Sequence, residues 1–344
     1  HQSRAYPSGF FYMEKLKNLL LAKSIGLYIN FLSYAHPKKA GQLAYRFFSE
    51  PRLGRLSKES LPLVLQHAKT ETFNHNGQQI QAYIWKGNNN IILLVHGWES
   101  NASRWEKMLP YLRSSGSTII AIDGPAHGLS SGVEFNVPAY AEYIDFAVQK
   151  FNPNILIGHS IGGAACIYYQ YKYQSTSLQK MVILGAPSDL KTLVQNYVAL
   201  LSLNAKIVTM LENHFIERFK FKLDDFSGKI FGSALSVKGM IAHDIHDDVV
   251  SFEEAKKSPV PGKPQHSSKP KALGTACTTM HCIKKSVTFC LKQSDIAFIV
   301  IRPAFRFNLF FVPQKRISTT IRAIVDVFVF SSGLSFRRLT NRMK

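Results

Sequence analysis

From residue 68 onward the chain settles into an alternation of hydrophobic runs and amphipathic stretches. The segment "AKTETFNHNGQQIQAYIW" reads as two alternating strands joined by Asn76-Gly77, a dipeptide suited to tight two-residue hairpins. Five short apolar runs follow, at 91–95, 118–122, 155–157, 181–184 and 239–242. Each is rich in Ile, Val and Leu and bounded by Gly, Pro or Asp, the signature of strands buried on both faces of a parallel sheet. Helical periodicity fills the gaps over 103–113, 137–150 and 161–173. Strands alternating with helices after an antiparallel entry hairpin predict an α/β fold with an open, mostly parallel sheet.

Two regions break this rhythm. Residues 190–237 hold apolar-periodic segments and no clear strand, so a helical cap over the carboxyl ends of the strands is expected, with ordinary crossover helices as the alternative. Upstream, Met13 opens "MEKLKNLLLAKSIGLYINFLS", whose apolar run 19–32 is interrupted by Lys23, Ser24 and Asn30. That run is too short and too broken to span a bilayer. It predicts an amphipathic helix packed on the body; membrane-surface contact and secretion are the alternatives, and Ser33-Tyr34-Ala35-His36 is a poor cleavage site. The expected organisation is an N-terminal helical extension (1–67), an α/β core (68–257) and a basic tail (258–344), disordered or out of frame.

Charge sharpens the division. The chain carries a formal +20, but residues 258–344 hold 15 Lys+Arg against 2 Asp+Glu, so the body is only mildly basic. A solvated tail explains this better than a nucleic-acid surface. Cys166 is the one body cysteine; Cys277, Cys282 and Cys290 lie in the tail, with no C-x-x-C pair and no zinc spacing. A reducing, cytoplasmic setting follows as the default, with peripheral membrane contact as an option, and neither cofactor nor metal is implied. The cluster His243, Asp244, His246 and Asp247 lacks a further segment of ligands, so a metal reading is weak.

The chemistry gathers around "NILIGHSIGGAAC", where Gly158-His159-Ser160-Ile161-Gly162 fits G-x-S-x-G. A serine hydroxyl is a weak nucleophile that needs exposure, a base and donors for the developing oxyanion. Here the motif sits between a strand and a helix, the context of a sharp turn that exposes the serine.

With this element the sequence resembles the α/β-hydrolase fold family over residues 70–257. "LLVHGWES" looks like the family's His-Gly segment after the third strand, and "AIDGPAHGLSSG" like its Asp-x-Pro-Gly-His-Gly-x-Ser segment, with Ala126 where Gly is usual. "VILGAPSDL" and "GMIAHDIHDDVVSFEEA" resemble the sixth strand and the seventh strand with its acid loop, Ser251 standing where Pro is common. The resemblance implies Ser160 as nucleophile, an oxyanion hole from the N–H groups of Trp98 and Ile161, and Asp247 as the acid, three residues before the apolar Val250. Asp244 and Asp248 compete for the acid's role, and His96 and His127 are implied to structure loops. His243 and Asp248 match His-x-x-x-x-Asp by chance of position. The implied substrate is a small ester or thioester; the alternative is a non-catalytic member of the fold.

The base is not legible. The resemblance implies one more strand, a Gly-rich turn carrying His, and a closing helix, yet after Lys257 the sequence is proline-rich and reads as no strand, so the closing strand and helix are expected to be missing or scrambled. Only His266 and His281 remain there as weak candidates. Back-translating residues 272–285 and reading one base earlier permits G-L-G-H-S-M-H-D-D-A-L-Y-K-K, which puts a Gly-Leu-Gly-His turn at Thr275. An out-of-frame tail is therefore expected.

Overall fold

The computed structural model describes residues 8–244, 247, 249–258 and 297–301. Its centre is an eight-stranded sheet in the order β1-β2-β4-β3-β5-β6-β7-β8. The entry hairpin pairs β1 (Lys69–His75) with β2 (Gln78–Trp85) antiparallel, and Asn76 and Gly77 turn it with φ of 48° and 76°. Both left-handed residues suit the right-handed twist of the strands they join. β3 (Asn88–Val95), β4 (Ser117–Ile122), β5 (Ile155–His159), β6 (Lys180–Leu184) and β7 (Lys238–Asp244) are mutually parallel, and β2 pairs antiparallel with β4. All five apolar runs read from the sequence fall inside these strands.

Their continuous apolarity has a direct cause. Successive side chains alternate between the two faces of the sheet, and both faces are covered. On one face Leu93, Val95, Ile120, Ile122, Leu156, Met181 and Ile183 pack against α5 (Val137–Phe151) and α6 (Ile161–Tyr173). On the other, Ile92, Leu94, Ile119, Ala121, Ile157 and Val182 pack with Leu65 of α3 (Leu63–Gln66), with Trp105, and with Leu109 and Leu112 of α4 (Leu109–Arg113). The helix expected over 103–113 is not continuous. A 3₁₀ segment, Ala102–Lys107, ends before α4, whose first turn contains Pro110. Proline lacks the N–H that an unbroken helix would need there.

An eighth strand lies where the sequence reads none. β8 (Ala297–Ile301) pairs parallel with β7, from Met240↔Ala297 to Asp244↔Ile301. Its sequence, AFIVI, is an apolar, β-branched run of the kind that suits a parallel strand. The expectation of a missing closing strand is thus corrected. It arose because the run comes after a long proline-rich stretch and not directly after the acid loop.

The region 190–237 is helical, with α7 (Leu190–Leu201), α8 (Ala205–Phe219) and α9 (Gly228–Ser233) inserted between β6 and β7. The N-terminal helices α1 (Ser8–Ala35) and α2 (Pro37–Ser49) pack on this insertion. Lys23 Nζ donates to Ala199 O at 2.8 Å and Ser202 Oγ at 2.7 Å, and Asn30 holds Ser202 O and the Asn204 N–H. Phe48 meets the rings of Tyr197 and Phe215 edge-on. After β7 comes α10 (Phe252–Lys257), whose buried Glu254 accepts the N–H groups of Ser188 and Asp189.

At the α1–α7 crossing a β-carbon on Gly26 would lie 1.6 Å from Leu201 O. The backbones touch, so no side chain fits. Gly26→Ala is expected to lower stability by about 2–3 kcal/mol, because the neighbour is rigid backbone and not a flexible side chain. An unchanged urea midpoint would contradict this contact.

Candidate active site

Ser160 stands between β5 and α6 with φ 54° and ψ −131°. A non-glycine residue is strained there, and such strain persists only where the surroundings fix it. They do: Ser160 N–H donates to Leu184 O at 2.8 Å, and Ser160 O accepts from Gly163 N at 2.8 Å. The flanking glycines permit the close packing behind the turn. A β-carbon on Gly158 would lie 2.6 Å from Gly163 Cα, and one on Gly162 would lie 2.1 Å from His96 O. The exit of β3 also lies against the serine, since a β-carbon on Gly97 would come within 2.9 Å of Ser160 Cβ.

Trp98 and Ile161 flank this contact. Ile161 is the first residue of α6, where a helix leaves its N–H groups without intrahelical acceptors. The Trp98 ring packs edge-on against His127 and Phe135, with centroids 5.7 and 5.4 Å away, so the ring has a packing role separate from its backbone N–H.

His96 and His127 have both ring nitrogens occupied. His96 Nδ1 donates to Gly97 O at 2.7 Å and Nε2 accepts from Gly124 N at 2.8 Å. His127 Nδ1 donates to Pro125 O at 2.8 Å and Nε2 accepts from Glu99 N at 2.9 Å. Burial holds His96 well below the usual imidazole range and His127 down at about 4. Both are neutral loop staples, as the resemblance implied. The buried Asp123 beside them accepts from the N–H groups of Ala102 and Leu129 and from Tyr83 Oη.

Asp247 lies just beyond β7. Its Oδ1 accepts from the N–H groups of Val249 and Val250 at 2.8 and 2.9 Å, while Oδ2 faces His243 Nε2 at 3.9 Å, too far for a hydrogen bond. A β-carbon on Gly185, one residue past β6, would lie 3.7 Å from that Oδ2. Ser160 and Asp247 thus follow β5 and β7, either side of the β6 exit. Asp244 is the last residue of β7. His243 is buried, donates Nε2–H to Val250 O at 2.8 Å, and has no partner for Nδ1 among the described residues. His266, His281, Thr275, Asp248 and His246 lie outside the described residues, and among those described no His, Cys, Asp and Glu group has the geometry of a metal site.

One feature of the site escaped the sequence. Arg104 Nη2 donates to His159 Nε2 at 2.5 Å, on the residue that precedes Ser160. Burial pushes Arg104 down to about 10, and burial with the guanidinium beside it holds His159 well below its usual range. His159 is therefore neutral, its Nδ1 buried without a partner among the described residues. Arg104 falls in a stretch with helical periodicity, "SRWEK", and nothing in that pattern marks a charged side chain turned inward.

These groups set the response to acid. In the unfolded chain the imidazoles of His96, His127 and His159 take up protons as pH falls through 6.5; in the fold they resist until lower pH. The unfolded state then binds more protons, so stability is lost as pH falls below 6.5. Asp123 acts oppositely: burial raises it from 3.8 to about 6, so in that window the fold holds the extra proton. The shifts of His127 and Asp123 each amount to about 3 kcal/mol and nearly cancel, which leaves His96 and His159 to decide the sign. The urea midpoint is expected to fall between pH 7 and pH 5, and a flat or rising midpoint would contradict neutral imidazoles.

Comparison with known proteins agrees with the architecture. The family model described as "alpha/beta hydrolase fold" matches residues 90–265. A probable serine hydrolase of Drosophila melanogaster is 33% identical over 102 residues, which are 26% of this chain and 29% of that protein. The bifunctional esterase/perhydrolase DCH of Acinetobacter calcoaceticus is 26% identical over 100 residues, 28% of this chain and 36% of that one. The matches thus span about a third of these relatives' lengths. Among solved structures, mouse alpha/beta hydrolase domain-containing protein 10 is similar with a TM-score of 0.48 at 14% identity, covering 76% of this chain and 100% of that one. With more than half of its residues matched by the family model, the chain belongs to the α/β-hydrolase fold family.

Proposed function

We propose that this protein is a serine hydrolase acting on a small ester or thioester. The observation that carries the reading is Ser160 on a strained strand-to-helix turn, with the Asp247 carboxylate beside the neighbouring strand end and its Oδ2 facing no donor at hydrogen-bond distance among the described residues. In this reading Ser160 Oγ attacks the acyl carbon and its proton passes to a histidine that Asp247 orients. The N–H groups of Trp98 and Ile161 stabilise the tetrahedral oxyanion, and water then releases the acyl group. Asp247 is well prepared for this part: two backbone donors fix Oδ1, leaving Oδ2 for an imidazole N–H. His266 and His281 are the candidate bases of the written chain, and a frame-restored histidine at Thr275 is the third.

A second reading has its own support. His243, the histidine beside Asp247, has its Nε2 engaged by Val250 O. A chain in which no other histidine reaches the pair would be a non-catalytic member of the fold.

A fluorophosphonate probe separates the two. The intact chain is expected to be labelled at Ser160, and Ser160→Ala to abolish labelling. Asp247→Asn is expected to slow ester hydrolysis by about 10³–10⁴-fold, as loss of an orienting acid does in such triads. An unlabelled but folded chain would favour the non-catalytic reading, and sequencing the coding DNA around codon 257 tests the frame.

A further inference from the structure

α1 is apolar on two opposite faces. Ile25, Ile29 and Ser33 are buried on the face that meets the cap and α2. On the outer face Met13, Leu16, Leu20, Leu27, Phe31 and Tyr34 recur at three-, four- and seven-residue spacings, so they lie in one line along the helix. All six are exposed, Leu27, Phe31 and Tyr34 by 72, 73 and 74%. The line runs for roughly 30 Å at 1.5 Å per residue. An apolar line of that length, interrupted only at Lys23 and Ser24, is not ordinary surface and calls for a partner.

The charge around it indicates which. Between Glu14 and Glu50 the chain has no acidic residue and six basic ones, Lys15, Lys17, Lys23, Lys38, Lys39 and Arg46. Lys23 is engaged with the cap and Arg46 with Glu50, but Lys17, Lys38 and Lys39 are exposed, and Lys206 sits 5.6 Å from the centre of the Tyr34 ring. Among the described residues no helix is long and apolar enough to cross a membrane. A second copy of the same face would bring lysines against lysines. A flat anionic bilayer offers what the face lacks: an apolar layer for the stripe and phosphates for the flanking cations.

We propose that the outer face of α1 docks on anionic lipid bilayers, with the helix lying in the plane of the headgroups. The proposal is independent of the hydrolase reading, because it uses no residue of the Ser160 site.

Flotation of the full chain with vesicles tests it, using phosphatidylcholine alone and phosphatidylcholine mixed with phosphatidylglycerol. The chain is expected to float with the anionic vesicles at low salt and less at high salt. Leu27→Asp/Phe31→Asp, at exposed positions whose loss leaves the core intact, is expected to cut the bound fraction roughly tenfold or more. Lys38→Glu/Lys39→Glu is expected to weaken binding several-fold, on the order of the attraction lost per cation, and to flatten its salt dependence. Circular dichroism verifies that both variants fold. Three results would overturn the proposal: no flotation of the intact chain at low salt; flotation undiminished in Leu27→Asp/Phe31→Asp, which would assign binding to the basic tail; or a dimer in solution that this variant converts to monomer, which would make the face a self-interface.

Discussion

A close approach between the exit of β3 and the start of α6 governs how the site is assembled. Gly162 lies so near His96 O that a single added carbon would collide with it, and Gly97 lies almost as near Ser160. This contact presses the first turn of α6 onto the end of the sheet. It accompanies a Ser160 backbone conformation that an isolated chain would avoid.

What keeps that arrangement rigid is a set of buried polar groups with their hydrogen bonds matched. His96 joins the β3 exit to the β4 exit through Gly124, His127 joins the next turn through Glu99, and Asp123 gathers two further amides and a tyrosine hydroxyl. Each of these groups would be costly if left unpaired in the interior. Their full occupancy is also the reason His96 and His127 cannot exchange protons with Ser160, although both sit in motifs that invite that role.

The fold was largely legible from the chain because its signals are local. Runs such as "TIIAI" and "NILIG" alternate between two covered faces, and Asn76-Gly77 names its own turn. Ser160 was legible because its turn demands glycine on both sides. The inward-turned Arg104 was not, since it depends on a break in a helical stretch that the pattern of apolar residues does not record. β8 was missed for a related reason: a five-residue apolar run has no intrinsic address, and only pairing with β7 gives it one. No base could be read for a different reason: the candidates His266, His281 and Thr275 follow Lys257, where the alternation of strands and helices breaks off, and they lie outside the described residues.

The helices outside the sheet end on a single carboxylate. Glu134, in the loop before α5, accepts from Tyr45 of α2 and from Asn136, and pairs with Arg218 of α8 at 2.8 Å. Next to it, Phe135 N–H donates to Ser49 O, and the Phe135 ring packs against Trp98 and His127. One loop therefore touches α2, α8 of the helical insertion and the aromatic layer beside Ser160. A bidentate carboxylate shared by three elements resists small sliding of any one of them, because each shift would strand a partly buried charge. The N-terminal helices are thus joined to the α/β body by polar bonds as well as by packing. Any displacement of α2 and α8 must be accommodated at Glu134 before it reaches the aromatic residues around Trp98.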